Sequence, residues 1–120
     1  MDFLPLFHKL DDKKCLVIGG GAVATRKVRL LMDARACVTV IAPTLSEQLT
    51  QLANNDKLQH IKRLFQANDT QTFSLIVCAT DNQAINAKVS AEAHANNIPV
   101  NVVDQPALCS FIFPAIVDRA

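Results

Sequence analysis

The chain has 120 residues, of which half are hydrophobic and 19% are charged, and its formal net charge is +1. This length suits one domain with a buried core, and the composition is typical of a globular protein. The balanced charge argues against a nucleic-acid partner, and no apolar run approaches the roughly 20 residues of a membrane helix. The first residues lack a targeting signal, so we expect a cytoplasmic protein with neither a membrane nor a nucleic acid as partner.

Short apolar runs alternate with helical patterns along the chain. The predicted elements are, in order, a strand at 15–19, a helix at 22–34, a strand at 37–41, a helix from Ser46 to about 54, a weaker strand at 58–63, a turn near 68–72, a strand at 75–79, a helix at 82–96, a strand at 100–103, a loop at 104–110 and an apolar strand at 111–117. In the first helix, Arg26, Lys27 and Arg29 are predicted to face solvent. The alternation is typical of an α/β fold with a parallel sheet.

Right-handed crossovers then predict a doubly wound, Rossmann-type parallel sheet with strand order 3-2-1-4-5-6. We predict one nucleotide-binding domain at 1–113 and the start of a connection at 114–120. Because the chain ends in an apolar strand, we expect a fragment of a longer protein, truncated before its next region. The unpaired strand is also expected to pair with a second copy of the fragment.

A glycine-rich sequence, Gly19-x-Gly21-x-x-Ala24, falls where the first strand turns into the first helix. Gly19 permits a tight turn, the missing Cβ of Gly21 lets a pyrophosphate approach the backbone, and the small Ala24 lets helix and strand pack closely. Free N–H groups at the start of the helix then bind the phosphates. In this context the motif predicts a dinucleotide site, and the alternative is a glycine turn that only solves a packing problem.

The end of the second strand lacks a feature that NAD-binding Rossmann domains usually have. An Asp or Glu there normally holds the ribose 2′-hydroxyl, but this strand runs into Ile41-Ala42-Pro43-Thr44. An arginine suited to a 2′-phosphate is also missing from that segment. Backbone groups or the Thr44 hydroxyl must therefore hold the ribose, and the residues alone leave both NAD and NADP open.

Other candidates lie at the carboxyl ends of the fourth and fifth strands, where ligands of such sheets bind. Thr80 and Asp81 follow the fourth strand, and helix capping is the alternative role for this segment. Asp104 follows the fifth strand, where a carboxylate could move protons, and its alternative is a structural role in a turn.

The cysteines and histidines show no metal-ligand spacing, so we predict no resident metal. Cys15, Cys37 and Cys78 fall in predicted strands and are expected to be core residues. Cys109 lies in a predicted loop and is the one candidate for a reactive thiol.

Five segments together are far more specific than the glycine motif alone. They are Asp2-x-Leu4-Pro5-Leu6-Phe7, Val17-Ile18-Gly19-Gly20-Gly21-x-Val23-Ala24-x-Arg26-Lys27, Ala79-Thr80-Asp81, Asn101-Val102-Val103-Asp104 and Ser110-Phe111-Ile112-x-Pro114-x-Ile116-x-Asp118-Arg119. Over its whole length the chain thereby resembles the N-terminal domain of siroheme synthases, the precorrin-2 dehydrogenase and sirohydrochlorin ferrochelatase family.

The resemblance implies an enzyme of siroheme and cobalamin biosynthesis. The family oxidises precorrin-2 to sirohydrochlorin with NAD and then inserts ferrous iron, so tetrapyrroles and iron are the expected substrates. It also implies that Ala22, Val23, Pro43 and Thr44 contact the NAD, and that Asp104 is the acid/base of both steps. The family binds NAD without an acid for the ribose.

The chain departs from the family in two respects. Arg35 stands where the family commonly has a glycine, so the first helix must end without one. The family also continues beyond this length with a dimerisation region and, in some members, a methyltransferase domain. We therefore expect a homodimer for the full-length protein, with part of the tetrapyrrole site beyond residue 120.

Two alternative functions fit a lone nucleotide-binding unit. A non-catalytic nucleotide-sensing domain is one, although such a sensor should have the acid after the second strand. A dehydrogenase of another small metabolite is the other.

Overall fold

A computed structural model describes residues 9–113. Its elements in chain order are β1 (Lys14–Ile18), α1 (Ala22–Asp33), β2 (Cys37–Ile41), α2 (Glu47–Asn54), β3 (Gln59–Ile61), β4 (Leu75–Cys78), α3 (Gln83–Ala95), β5 (Val100–Val102) and a 3₁₀-helix (Pro106–Leu108). These elements confirm the predicted helices and the first five predicted strands. None of the helices within 9–113 has the length and apolarity that a membrane span requires.

The five strands form one parallel sheet in the order β3-β2-β1-β4-β5, which confirms the predicted Rossmann-type arrangement for these strands. Ile18 at the end of β1 is paired with Ile41 at the end of β2 and with Cys78 at the end of β4. Three strand ends are therefore level at the carboxyl edge. The loops that follow them must lie side by side.

The sixth strand of the predicted order is not present in the described residues. Residues 111–113 are not in a strand, and the rest of the predicted strand and the predicted connection at 114–120 lie outside the described range. Residues 111–113 are held instead by a hydrogen bond from the Asn101 Nδ2 to the Phe111 carbonyl over 3.1 Å and by ring packing, since the Phe111 and Phe113 rings meet edge to face with centroids 5.4 Å apart. Both rings pack against the core on the α1 side of the sheet. Within residues 9–113 no sixth strand forms, so the structure offers no support there for the predicted pairing of this strand with a second copy.

Helices cover both faces of the sheet because β1 and β4 are apolar at successive positions. Side chains alternate along β1, so Cys15 and Val17 lie in the core beneath α1 and α2, while Leu16 and Ile18 lie in the core beneath α3. This arrangement leaves the carboxyl edge of the sheet as the place where three loops can form a site.

The prediction that Arg26, Lys27 and Arg29 face solvent is wrong for Lys27. Arg26 and Arg29 are exposed, but Lys27 is only 5% exposed and its ammonium lies 4.6 Å from the centroid of the Phe113 ring. A lysine can bury its aliphatic stem while its charge rests on an aromatic face. The sequence pattern of α1 could not reveal this because Phe113 is distant in the chain.

The helix ends follow the predicted signals. Ser46 accepts a hydrogen bond from the Leu49 amide at the start of α2, and Asn82 caps α3 in the same way. After α1 the chain turns at Arg35, which has a φ of 65°, in the left-handed region that favours glycine. A glycine at this position would therefore suit the backbone better than Arg35 does.

One of the expectations for the thiols is wrong. Cys37 is exposed because it is the first residue of β2, at the amino edge, before the strand enters the core. Cys109 is half-buried, and its sulfur lies 3.1 Å from the Val102 amide nitrogen. Burial raises the pKa of the Cys109 thiol, which disfavours the reactive thiolate.

Candidate functional site

A cavity of about 660 Å³ opens at the carboxyl edge of the sheet. Three loops border it: the β1–α1 turn, the β2–α2 loop and the β4–α3 loop. All eight residues that the sequence analysis assigned to cofactor binding line this cavity: Gly19, Gly21, Ala22, Val23, Pro43, Thr44, Thr80 and Asp81. The level strand ends explain why residues so far apart in the chain meet here.

The β1–α1 turn needs glycine at two positions for different reasons. Gly19 has a φ of +117°, and a Cβ there would overlap the carbonyl oxygen of Ala79. A Cβ on Gly20 would overlap the carbonyl oxygen of Thr44. Sequence reasoning placed Gly20 in the glycine-rich turn but did not find this constraint, because the constraint comes from a loop that lies more than 20 residues away.

Gly21 differs from both neighbours, since no protein atom lies within 4 Å of the position that its Cβ would take. It also precedes α1, where no side chain caps the exposed N–H groups and the first turn has no acidic residue. An open backbone beside an uncapped helix start favours the binding of an anion such as a phosphate.

The β2–α2 loop lies directly against the glycine turn. The Ser46 amide donates to the Gly20 carbonyl over 2.7 Å, and Pro43 and Thr44 are exposed at the cavity rim. From the outer strand, the His60 Nε2 lies 2.8 Å from the Ala42 carbonyl oxygen. A carbonyl can only accept, so Nε2 carries the proton in this contact.

Two apolar residues from the segment after β3, Leu64 and Phe65, complete this side of the cavity. Leu64 is among the few large apolar side chains that are exposed in the described residues. A flat apolar group such as a nucleotide base would find a suitable surface here.

The β4–α3 loop is held from below by Asn86, whose side chain is 1% exposed. Its Oδ1 accepts from the Thr80 hydroxyl over 2.7 Å and its Nδ2 donates to the Thr80 carbonyl over 3.2 Å. The Cys78 sulfur lies 3.0 Å from the same Oδ1, and burial raises the pKa of this thiol to about 12. Sequence reasoning missed Asn86. The feature that could have revealed it is a polar residue directly after Ile85, on the buried side of α3.

Asp104 does not line the cavity. It is exposed, follows β5 and has a φ of 62°, within a turn that the Gln105 amide closes on the Val102 carbonyl over 3.1 Å. The Val103 amide donates to the Cys78 carbonyl over 3.0 Å, so Asp104 lies at the same sheet edge, next to the β4–α3 loop. An exposed carboxylate in a left-handed turn fits both the catalytic and the structural alternative.

Within residues 9–113, no group of three or more His, Cys, Asp or Glu side chains is placed to hold a metal ion. The cavity itself is bordered by backbone amides, hydroxyls and apolar groups, with Asp81 as the one acidic residue among its described lining. Its size and its open Gly21 fit a dinucleotide with a diphosphate at the glycine turn.

Comparisons with known proteins agree with this geometry. A family model described as "Putative NAD(P)-binding" matches residues 6–115. The whole chain is 55% identical to the siroheme synthase of Ectopseudomonas mendocina and 51% identical to that of Methylococcus capsulatus, and it covers 26% and 25% of those proteins. The chain thus spans about a quarter of the length of these curated relatives.

Among solved structures, "SirC, precorrin-2 dehydrogenase" superposes with a TM-score of 0.85 at 27% identity, over 94% of this chain and 55% of that one. The resemblance to siroheme synthases that the sequence motifs indicated is therefore confirmed. The chain belongs to the NAD(P)-binding family that matches nearly all of its residues, and its whole length is similar to a segment of siroheme synthases.

Proposed function

We propose that this chain is the NAD-binding part of an enzyme that oxidises precorrin-2 to sirohydrochlorin. One observation carries the proposal: the eight residues expected to bind the cofactor line a single cavity, in a fold similar to that of a precorrin-2 dehydrogenase. The similarity to siroheme synthases extends over the whole chain, which supports the same pathway.

Different residues of the cavity bind different parts of the dinucleotide. Gly21 and the free N–H groups of α1 hold the diphosphate, while Pro43 and Thr44 contact the ribose that lies toward β2. The Thr44 hydroxyl and backbone groups replace the missing acid. Thr80 and Asp81 border the diphosphate from the β4 side, and Ala22 and Val23 pack along it.

Oxidation of precorrin-2 removes a hydride and a proton from the macrocycle. NAD supplies the hydride acceptor when it is bound. Asp104 accepts the proton from the macrocycle: it follows β5 at the same edge of the sheet, outside the cavity that Asp81 lines, and the resemblance to siroheme synthases gives it this role. The exposed position of Asp104 leaves room for a substrate as large as a tetrapyrrole.

Further properties belong to the proposal for the full-length protein. These are insertion of ferrous iron into sirohydrochlorin, with iron as a substrate, a homodimer, a cytoplasmic location and a contribution to cobalamin synthesis. The resemblance to siroheme synthases supports each of them.

The proposal is tested with the full-length protein, titrated with NAD and NADP and then assayed with precorrin-2. We expect saturable binding of NAD and formation of NADH and sirohydrochlorin. Binding of NAD without oxidation of precorrin-2 would favour a nucleotide sensor instead. Turnover of a different metabolite alone would favour another dehydrogenase.

A further inference from the structure

We propose that Thr25 and Ser46 are positioning residues that set the spacing between the glycine turn and the β2–α2 loop, and thereby the affinity for the dinucleotide. This inference rests on the proposed binding of NAD in the cavity. Neither residue belongs to the glycine motif, and Thr25 does not line the cavity.

A directed chain of hydrogen bonds joins the two loops. The Leu49 amide can only donate, and it donates to the Ser46 Oγ over 3.2 Å. At the other end, the Gly21 carbonyl can only accept, and the Thr25 hydroxyl donates to it over 2.7 Å. The Thr25 proton is thereby used, so in the 2.7 Å contact between the two hydroxyls Ser46 must donate to Thr25.

All three hydrogen bonds are therefore donated in the same direction, from α2 through the two hydroxyls to the glycine turn. Thr25 is 6% exposed and Ser46 is half-buried, so water replaces these bonds poorly. A buried polar group that loses its partner carries the full cost of its desolvation. The arrangement thus favours one separation of the two loops over all others.

That separation matters because the two loops contact successive parts of one ligand. The Gly21 carbonyl belongs to the residue that a diphosphate approaches, and Ser46 is next but one to Thr44, at the ribose. The Ser46 amide also donates to the Gly20 carbonyl, which fixes the backbones at the same point. If the loops separate, the diphosphate and ribose contacts cannot both be optimal.

The test is calorimetric titration of the full-length protein with NAD. Thr25→Val keeps the shape of the side chain but removes the hydroxyl, and we expect about a tenfold loss of NAD affinity, since a buried hydrogen-bonded chain is broken. Thr25→Ser restores the hydroxyl and should recover most of the affinity. Thr25→Val combined with Ser46→Ala should weaken binding little beyond either single change, because both break the same chain.

The matched control is Thr70→Val, which removes the hydroxyl of another buried threonine, one that contacts Glu92 away from the cavity. It should lower the melting temperature without changing the affinity for NAD. Unchanged affinity in Thr25→Val, with the wild type binding NAD, overturns this inference alone. Absence of NAD binding in the folded wild type overturns the proposed function and this inference with it. If Thr25→Val fails to fold, Thr25→Ala removes the same hydroxyl and leaves the Ser46 cap of α2 intact, and its comparison with Thr25→Ser decides.

Discussion

Gly20 lies so close to the backbone of Thr44 that a side chain on residue 20 would overlap the Thr44 carbonyl oxygen. The next residue, Gly21, has open space where its Cβ would be. Two adjacent glycines therefore serve different ends: Gly20 allows two loops to touch, and Gly21 leaves room for a ligand.

Substitution should separate these roles. Gly20→Ala is expected to destabilise the fold by about 1–3 kcal/mol, the usual range for overpacking, because the β2–α2 loop must move. Gly21→Val should leave the protein folded, with only the modest loss expected for valine at a helix N-cap, and should abolish NAD binding, because its side chain takes the place of the diphosphate. Urea denaturation and calorimetric titration of both variants measure the two effects. A Gly21→Val protein with normal NAD affinity would show that the diphosphate does not lie at this turn.

The sequence allowed most of the sheet to be predicted, because continuous apolar runs such as 75–79 have few other interpretations. The glycines and the polar residues after β2 and β4 could be assigned because a parallel sheet places its strand ends together, whereas Ala22, Val23 and Pro43 were assigned from the resemblance to siroheme synthases. Contacts between distant segments were beyond reach: neither Gly20 against Thr44 nor Asn86 beneath Thr80 leaves a local pattern. Lys27 was placed in solvent because its partner, Phe113, lies in another part of the chain.

Arg35 offers a test of backbone strain. Its φ of 65° is costly for a residue with a Cβ, and its contact with Asp11, 3.7 Å between charged atoms, is largely exposed and adds little. Arg35→Gly should therefore raise the unfolding free energy by about 1 kcal/mol. The control is Arg29→Gly, at an exposed position inside α1, which should lower it by about 1 kcal/mol. A loss of stability in Arg35→Gly would mean that the arginine side chain outweighs the strain.

Asp69 should make stability depend on acid pH. Its carboxylate accepts two hydrogen bonds from the Arg63 guanidinium, at 2.8 and 2.9 Å, and a third from the Gln66 amide. The Arg63 hydrogen bonds lower the pKa of Asp69 below its ordinary value of 3.8, with the Gln66 amide adding to the effect. Because the folded pKa is the lower one, the stabilisation is complete above the ordinary value and is lost as the pH falls through the folded value.

Asp69→Asn is thus expected to cost about 1–2 kcal/mol at neutral pH, and this difference should shrink as the solution is acidified. Urea denaturation at a series of pH values measures both. Asp56→Asn, at an exposed aspartate whose left-handed backbone also suits asparagine, serves as the control and should change little. A cost for Asp69→Asn that does not vary with pH would show that the ion pair is not its source.

Asp104 combines an unfavourable backbone with a proposed catalytic carboxylate. Its φ of 62° lies in the region that asparagine tolerates as well as aspartate and that glycine prefers. Asp104→Asn therefore removes the charge and keeps the turn, whereas alanine would add strain and confuse the two effects. Asp104→Gly relieves the backbone and removes the side chain altogether.

In the full-length protein, both variants should lower the rate of precorrin-2 oxidation by about 10²- to 10⁴-fold, the usual effect of removing a positioned acid/base group. NAD affinity should stay near that of the wild type, because Asp104 lies outside the cavity that we propose as the diphosphate site. Stability should be unchanged in Asp104→Asn and should rise in Asp104→Gly. If Asp104 were only a turn former, both variants would keep normal turnover, and if it bound the cofactor, NAD affinity would fall with the rate. Turnover, NAD affinity and melting temperature measured on one preparation of each variant therefore distinguish the three roles, and lost turnover in a stable protein that binds NAD normally identifies catalysis.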